Sequence, residues 1–444
     1  MRKWVIVVSI FIAVIFLFLL SVPFSMGFWL QHHYPSLLQR VSYPELATFK
    51  LIRFDRGWFV AHATVQITPR NQNQFPSLLV QQRIQSGPLV FSKTASGAWH
   101  WSWAKALIDS QSLDSTFRWT ARTQLRMDNT LDTTVKATQL TFAQTEQRRI
   151  LQNLRLRLIF VPSSKTLTLK GKAATLKTYR DVPILYAQHI AFNAKLHKTA
   201  PWVWVGDRRL HVRRITLFPQ DEKKQWQLDR VRFNTHQTAA QTTTTLTITA
   251  GVRSIRAPDV TIQPLAITFS LSDLNTAALS QFLRAVIQTH PASTTVKAWA
   301  TLLPHLWNLI SHGFSASLTQ LTLNTTTGLL SAEGRLSFFP PMSAFHLPSL
   351  LQATTLTFHA KVPSMWLAKS LVYAYQNNLL TVADKTLPPN ETANQQIQRW
   401  IESKKIIVAS PDIVTFQLLF QQNHLFINGL PQSYTTPGFT TDGS

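Results

Sequence analysis

No cysteine occurs among the 444 residues. That absence excludes a disulfide scaffold, a lipid-modified cysteine, a thiol nucleophile and any cysteine metal site. Carboxylates are scarce as well: 20 Asp+Glu face 44 Lys+Arg, a formal net charge of +24. So few acids leave little material for paired-carboxylate chemistry. The excess of cations implies an anionic partner, whether lipid headgroups, lipopolysaccharide, an acidic protein or nucleic acid. A fixed-period repeat is missing, which sets aside propellers and solenoids. The 14 histidines are scattered, and no His-x-x-x-His or His-Glu pair is present to build a metal site. His32 and His33 adjoin each other, so they do not share a helical face, and read as surface residues. No cofactor is implied.

The amino terminus chooses among the anionic partners. Arg2 and Lys3 precede an uncharged run of 19 residues, Trp4 to Val22, that includes Val5, Ile6, Phe11, Phe16 and Leu20. Such a run crosses roughly 30 Å of hydrocarbon as a helix, and Pro23 ends it. Beyond it no Lys or Arg follows until Arg40. The positive-inside rule therefore keeps the start in the cytoplasm and sends the body across. This predicts a single-pass anchor in the bacterial inner membrane with a periplasmic body, out of reach of nucleic acid. A cleaved signal peptide is the rival reading, with Ser25 and Gly27 as a small-residue site, but the run exceeds the roughly 7 to 15 residues of a signal core. The expected division is 1–23 cytoplasmic stub and anchor, 24–46 stalk, 47–431 body, and 432–444 disordered tail.

Period-two alternation dominates the body. In "RFDRGWFVAHATVQI", Ala61, Ala63, Val65 and Ile67 point one way and Val60, His62, Thr64 and Gln66 the other, after a turn at Gly57. Phe117, Trp119, Ala121 and Leu125 oppose Arg118, Arg122 and Arg126. Leu154, Leu156 and Leu158 oppose Arg155 and Arg157, and Leu210 and Val212 oppose Arg209 and Arg213. One wet face lined by arginine and one dry face is the pattern of antiparallel sheet covered on one side. Helical period appears in "SDLNTAALSQFLRAVIQTH", capped by Ser272 or Asp273, in "WATLLPHLWNLISHG", in "PSMWLAKSLVYAYQNN", and in "NETANQQIQRWIESK", capped by Asn390. "IVTFQLLFQQNHLFING" reads as a closing strand pair. The fold class is α+β and strand-dominated: a large curved antiparallel β-sheet with a few covering helices, preceded by one N-terminal transmembrane helix. Four helices are few for so many strands, which leaves room for an uncovered apolar groove.

Several segments in correct order carry a resemblance. "YPELATFKLIRFDRGWFVAHATVQI", "RIQSGPL", "LSDLNTAALSQFL", "LTLNTTTGLLSAEGRLSF", "FHAKVPSMWL" and "LFINGLP" are similar to those of the YdgA-like family of bacterial envelope proteins. That resemblance implies an N-terminal anchor and a large periplasmic body, and it supplies no reaction. Ser86 departs from the family by standing where a histidine precedes Gly87-Pro88.

Chemical motifs are thin. Ser102 and Lys105 match the Ser-x-x-Lys spacing of serine acylases, but no Ser-Asp-Asn or Lys-Thr-Gly accompanies them. In "WHWSW", Trp99, Trp101 and Trp103 share one strand face and are either buried or seated at a lipid interface. Asp55, between Arg53 and Arg56, reads as a turn-fixing ion pair. Arg56, Gly57, Trp58, Gly87, Pro88, Asn428 and Gly429 read as structural turn residues. Arg118, Arg122, Arg126, Arg155, Arg157, Arg209 and Arg213 are the candidate contacts to an anionic surface, set against a solvated sheet face as the plain alternative. The expected function is a non-enzymatic envelope protein that binds phospholipid, lipopolysaccharide or another envelope component on its curved sheet. The alternative is a structural or assembly factor that docks a partner protein or its own copy.

Overall fold

The computed structural model describes residues 25–432 apart from 26, 37, 40–46, 71–76, 88, 94–98, 115–116, 145–146, 221–224, 258–259, 290–294, 326, 340–351 and 377–388. The apolar run, with Trp4, Val5, Ile6, Phe11, Phe16 and Leu20, lies outside the described residues, as do Pro88 and the tail from 433. Among the described residues, no helix is long and apolar enough to cross a membrane. The chain divides into two compact units, the first made of Met1–Lys198, Gly206–Glu222 and Val286–Ala298, the second of the remainder. Antiparallel strands dominate both.

Unit 1 is an antiparallel meander. Its strands are β1 (Ala47–Asp55), β2 (Val60–Pro69), β3 (Leu78–Ser86), β4 (Leu89–Lys93), β5 (Trp99–Trp103), β6 (Ala106–Ser112), β7 (Phe117–Leu125), β8 (Leu131–Gln144), β9 (Gln147–Val161), β10 (Thr166–Tyr179), β11 (Pro183–Ala200) and β12 (Val203–Leu217). From β1 to β11 each pairs with the strand next in sequence, except that β3 pairs with β6 and the β4–β5 hairpin is set between them. The alternation read from β2 holds: Ala61, Ala63 and Val65 are buried and His62 is exposed.

Residues 25, 27–36 and 38–39, within the segment assigned to a stalk, are helical (α1). Leu30, Tyr34 and Leu38 recur every fourth residue, make one stripe, and pack on Ala61, Ala63, Val65 and Ile84. Alanines at 61 and 63 leave room for the Tyr34 ring. Burying the three large side chains contributes about 1.5–3 kcal/mol each before ordering costs. The Tyr34 hydroxyl donates to Gln82 Oε1. Burial raises its pKa to about 12, against a smaller lowering by that hydrogen bond.

Unit 2 carries β13 (Trp226–Ala240), β14 (Thr243–Val252), β15 (Ser254–Ala257), β16 (Val260–Asn275), β17 (Phe314–Thr325), β18 (Gly328–Phe338), β19 (Thr354–Pro363), β20 (Ile407–Ser410), β21 (Ile413–Gln421), β22 (His424–Ile427) and β23 (Leu430–Gln432). Its helices are α2 (Thr276–Gln288) up to Ala285, α3 (Thr295–Ser311) from Trp299 on, α4 (Ser364–Gln376) and α5 (Pro389–Glu402). The cap of α2 is Asn275, whose Oδ1 accepts from the Ala278 amide at 3.0 Å, and not Ser272 or Asp273, which remain in β16. Helix α5 begins at Pro389, so Asn390 is already inside it. Leu371 of α4 and Ala393 and Ile397 of α5 close over Val414 of β21.

Candidate functional site

The basic face of unit 1 is built by strand register. Because side chains alternate, directly paired residues of neighbouring strands project from the same face. On the apolar face Val135, Leu156, Gly171 and Phe192 form one row across β8–β11, and Thr133, Leu158, Leu169 and Ala194 another. Leu156, Leu158 and Leu169 remain half-buried. The opposite face carries Thr120, Lys136, Arg155, Lys172 and Ala191 in one row across β7–β11, and Arg122, Thr134, Arg157 and Lys170 in the next. Three cations thus stand directly opposite one another in the first row.

The two rows differ in compensation. Arg122 Nε donates to Asp109 at 2.7 Å. Arg157 donates twice to Asp132, at 3.0 and 2.7 Å, and Arg126 reaches the same carboxylate at 2.7 Å. The hydrogen bond from Arg157, and then its charge and that of Arg126, hold the Asp132 carboxyl below its ordinary range against a partial loss of hydration. The same contact raises the Arg157 guanidinium. Among the described residues, Arg118, Lys136, Arg155 and Lys172 have no carboxylate within ion-pair distance. Like charges directly opposite in a sheet repel, so this row costs stability as it stands.

A trough of about 960 Å³ runs over that row. It is lined by Arg118, Lys136, Arg155, Lys172 and His189, with alanines and threonines between them and no carboxylate. Pairing is interrupted at one level across these strands: β7–β8 skips Thr138, β9–β10 breaks between Arg155 and Gln152, and β10–β11 between Ile190 and Gln188. Asn153 and His189, at that level, adopt left-handed φ of 53° and 50°. The β7–β8 interruption is a bulge, which re-aims side chains, and strained non-glycine residues persist only where the surroundings hold them.

The predicted arginines therefore separate. Arg118 and Arg155 line the trough, Arg122, Arg126 and Arg157 are held by aspartates, and Arg209 and Arg213 are exposed on β12 away from it. Lys136 and Lys172 were not singled out by sequence, although both alternate with apolar neighbours in "TVKAT" and "LKGKAA".

The turn residues are placed as follows. Arg56, Gly57 and Trp58 join β1 to β2, beside an exposed Arg53–Asp55 ion pair of 2.7 Å. The Arg56 guanidinium lies 5.6 Å from the centre of the Phe28 ring on α1. Gly57 is required by close approach and not by a left-handed angle: a Cβ there would fall 2.3 Å from the Val60 carbonyl oxygen. The Gly87 amide donates to the Lys105 carbonyl at 3.2 Å. Asn428 and Gly429 have φ of 48° and 80°, and Asn428 bonds both Gln417 and Lys404.

Lys105 Nζ donates to Asn129 at 2.6 Å, and Trp101 and Trp103 are exposed, not buried. His32 and His33 each bond the carbonyl four residues back, at 3.0 and 2.9 Å. Among the described residues, no group of three His, Asp or Glu gathers as for a metal ion.

No curated protein and no solved structure matches the chain. A model of bacterial proteins of unknown function matches residues 1–434, and on that coverage the chain belongs to the family DUF945.

Proposed function

We propose that this protein is a non-enzymatic, membrane-anchored component of the bacterial envelope that binds a phosphate-bearing ligand on the curved basic face of unit 1. The observation that carries the reading is the row Lys136–Arg155–Lys172, flanked by Arg118 in a trough without carboxylates. Three directly opposed cations are a standing cost unless an anion neutralises them. Phosphate is the anion class that lysine and arginine side by side serve best. Phospholipid headgroups and lipopolysaccharide both present it. The run Trp4–Val22 with Arg2 and Lys3 before it supports an inner-membrane anchor with a cytoplasmic start and a periplasmic body. The resemblance to YdgA-like envelope proteins supports the same location.

The test is binding of the full chain in neutral-detergent micelles to phosphatidylglycerol, to lipopolysaccharide and to phosphatidylcholine, with the variant Lys136→Gln/Arg155→Gln/Lys172→Gln alongside. The expected outcome is saturable binding to one of the first two that weakens tenfold or more in the variant. Equal binding by both proteins would refute the site. Preference between the two anions identifies the source of the phosphate.

A second reading, docking of a partner protein, is favoured by Trp299, Leu303 and Trp307, which recur every fourth residue on α3 and are all exposed. In that case the triple variant leaves activity in the cell intact, and changing Trp299 and Trp307 abolishes it.

A further inference from the structure

The strand register of unit 1 defines two ends. The β1–β2 turn at residues 56–59, the β3–β6 junction and the β7–β8 and β9–β10 turns share one end, because Val60 pairs with Gln85, Ser86 with Ala106, Ala106 with Leu125, Leu131 with both Leu125 and Phe160, and Val161 with Thr166. The β4–β5 hairpin continues outward from the same end: Gly87 bonds Lys105 at its base, and Leu89 pairs with Trp103. Helix α1 starts there too, with Gly27 close to the Gly57 carbonyl and Phe28 beneath Arg56.

Exposed aromatic side chains concentrate at this end. Phe28, Trp29, Trp58, Phe59, Trp101 and Trp103 are each 48–59 % exposed. The one other exposed aromatic among the described residues of unit 1 is Phe218. It sits at the opposite end, its amide bonded to Ile184 beside the β10–β11 turn. A water-facing surface gives no reason for six large aromatics to gather on three separate elements at one end. Tryptophan is the residue type that prefers the headgroup layer, where its ring meets the acyl boundary and its N–H stays hydrated.

The chain leaves unit 1 from that end. Four residues separate Val22, the close of the apolar run, from Gly27, a span of at most roughly 18 Å. We infer that this end of unit 1 is a lipid-facing collar whose exposed tryptophans and phenylalanines seat in the headgroup layer of the bilayer that receives the apolar run. Arg56 brings positive charge to the rim of the collar, Arg53 there being paired with Asp55, and this matches an anionic leaflet. The inference rests on the anchor reading above, and the two fail in different ways.

The cysteine-free sequence is a ready background for single-site labelling. Nitroxide labels at Leu20→Cys, Phe59→Cys, Trp103→Cys and Val182→Cys would be placed in the full chain, reconstituted in vesicles of phosphatidylethanolamine and phosphatidylglycerol. Each label is then read by its relative accessibility to oxygen and to a polar nickel complex. Val182 is the control, as exposed as the collar residues and at the far turn. The expected result is a deep position for Leu20, an oxygen-to-nickel ratio at Phe59 and Trp103 several-fold above Val182, and Val182 in water. Leu20 deep with Phe59 and Trp103 as wet as Val182 overturns the collar and leaves the anchor standing. Leu20 in water overturns both. Quenching of tryptophan fluorescence by brominated lipid in the unlabelled protein, reduced in Trp103→Phe, gives a second reading that needs no label.

Discussion

Replacing Arg155 with glutamine should stabilise the protein, and the gain should shrink to about a third in physiological salt. Arg155 faces Lys136 on one side and Lys172 on the other. With charged heads splayed to about 8 Å in water, each pair repels by about 0.5 kcal/mol, so the two together cost about 1 kcal/mol at low ionic strength. At 0.15 M salt a Debye length of about 8 Å leaves about a third of that. Glutamine keeps much of the aliphatic stem, so little packing is lost with the charge. For a unit of this size about 1 kcal/mol raises the midpoint by roughly 2–4 °C. Thermal unfolding followed by circular dichroism at low and at physiological ionic strength would read it, with Arg155→Lys as the control that changes nothing. A lower midpoint for Arg155→Gln, or a gain of equal size in both buffers, would refute the argument that the row is held against its own repulsion.

Three further outcomes can be measured. Asp132→Asn should cost about 1–2 kcal/mol at neutral pH, since it leaves Arg126 and Arg157 without their shared carboxylate. The folded pKa of Asp132 is lowered, so its contribution is present above the unfolded value of about 3.9 and is lost as pH falls through the folded one. Urea midpoints of variant and wild type should therefore converge in acid, and a constant gap would argue against the ion pair. Tyr34 is shifted the other way, to about 12, so its burial stabilises fully below pH about 10 and less as pH rises through about 12. The difference in tyrosinate absorbance between wild type and Tyr34→Phe should titrate near that upper value, and a midpoint near 10 would mean that α1 does not cover the ring. Gly57→Ala should destabilise unit 1 by about 1–3 kcal/mol, because a Cβ at 2.3 Å from the Val60 carbonyl forces the turn to move. Unchanged urea unfolding would show that the turn gives way freely.

Local rules carried the strand assignments. Phe117, Trp119 and Ala121 alternate with Arg118, Thr120 and Arg122 in sequence and in burial, because a pleat converts spacing into sidedness without help from the rest of the molecule. Helix α1 is hidden by Pro35, a residue that usually breaks helices. It shows itself only through the small-residue floor of β2 that receives it. The trough was half legible: Arg118 and Arg155 announce a basic face. That Lys136 and Lys172 stand beside Arg155 depends on register over separations that no local pattern reports. The same applies to Asp132, which neutralises Arg157 across the β8–β9 pair and so removes it from the set of available cations.

The meander has a consequence for how unit 1 comes into being. Every strand from β7 to β11 finds its partner in the strand made just before it, so loop-closure costs stay small and ordering can proceed from the amino end forward. Helix α1 and β1–β3 close a packed seed before the later strands exist. Each new strand then adds to a waiting edge, a route suited to a chain that emerges gradually. A segment of the emerging sheet always presents unpaired amides, so the growing edge, and not the finished surface, is where a chaperone would be needed.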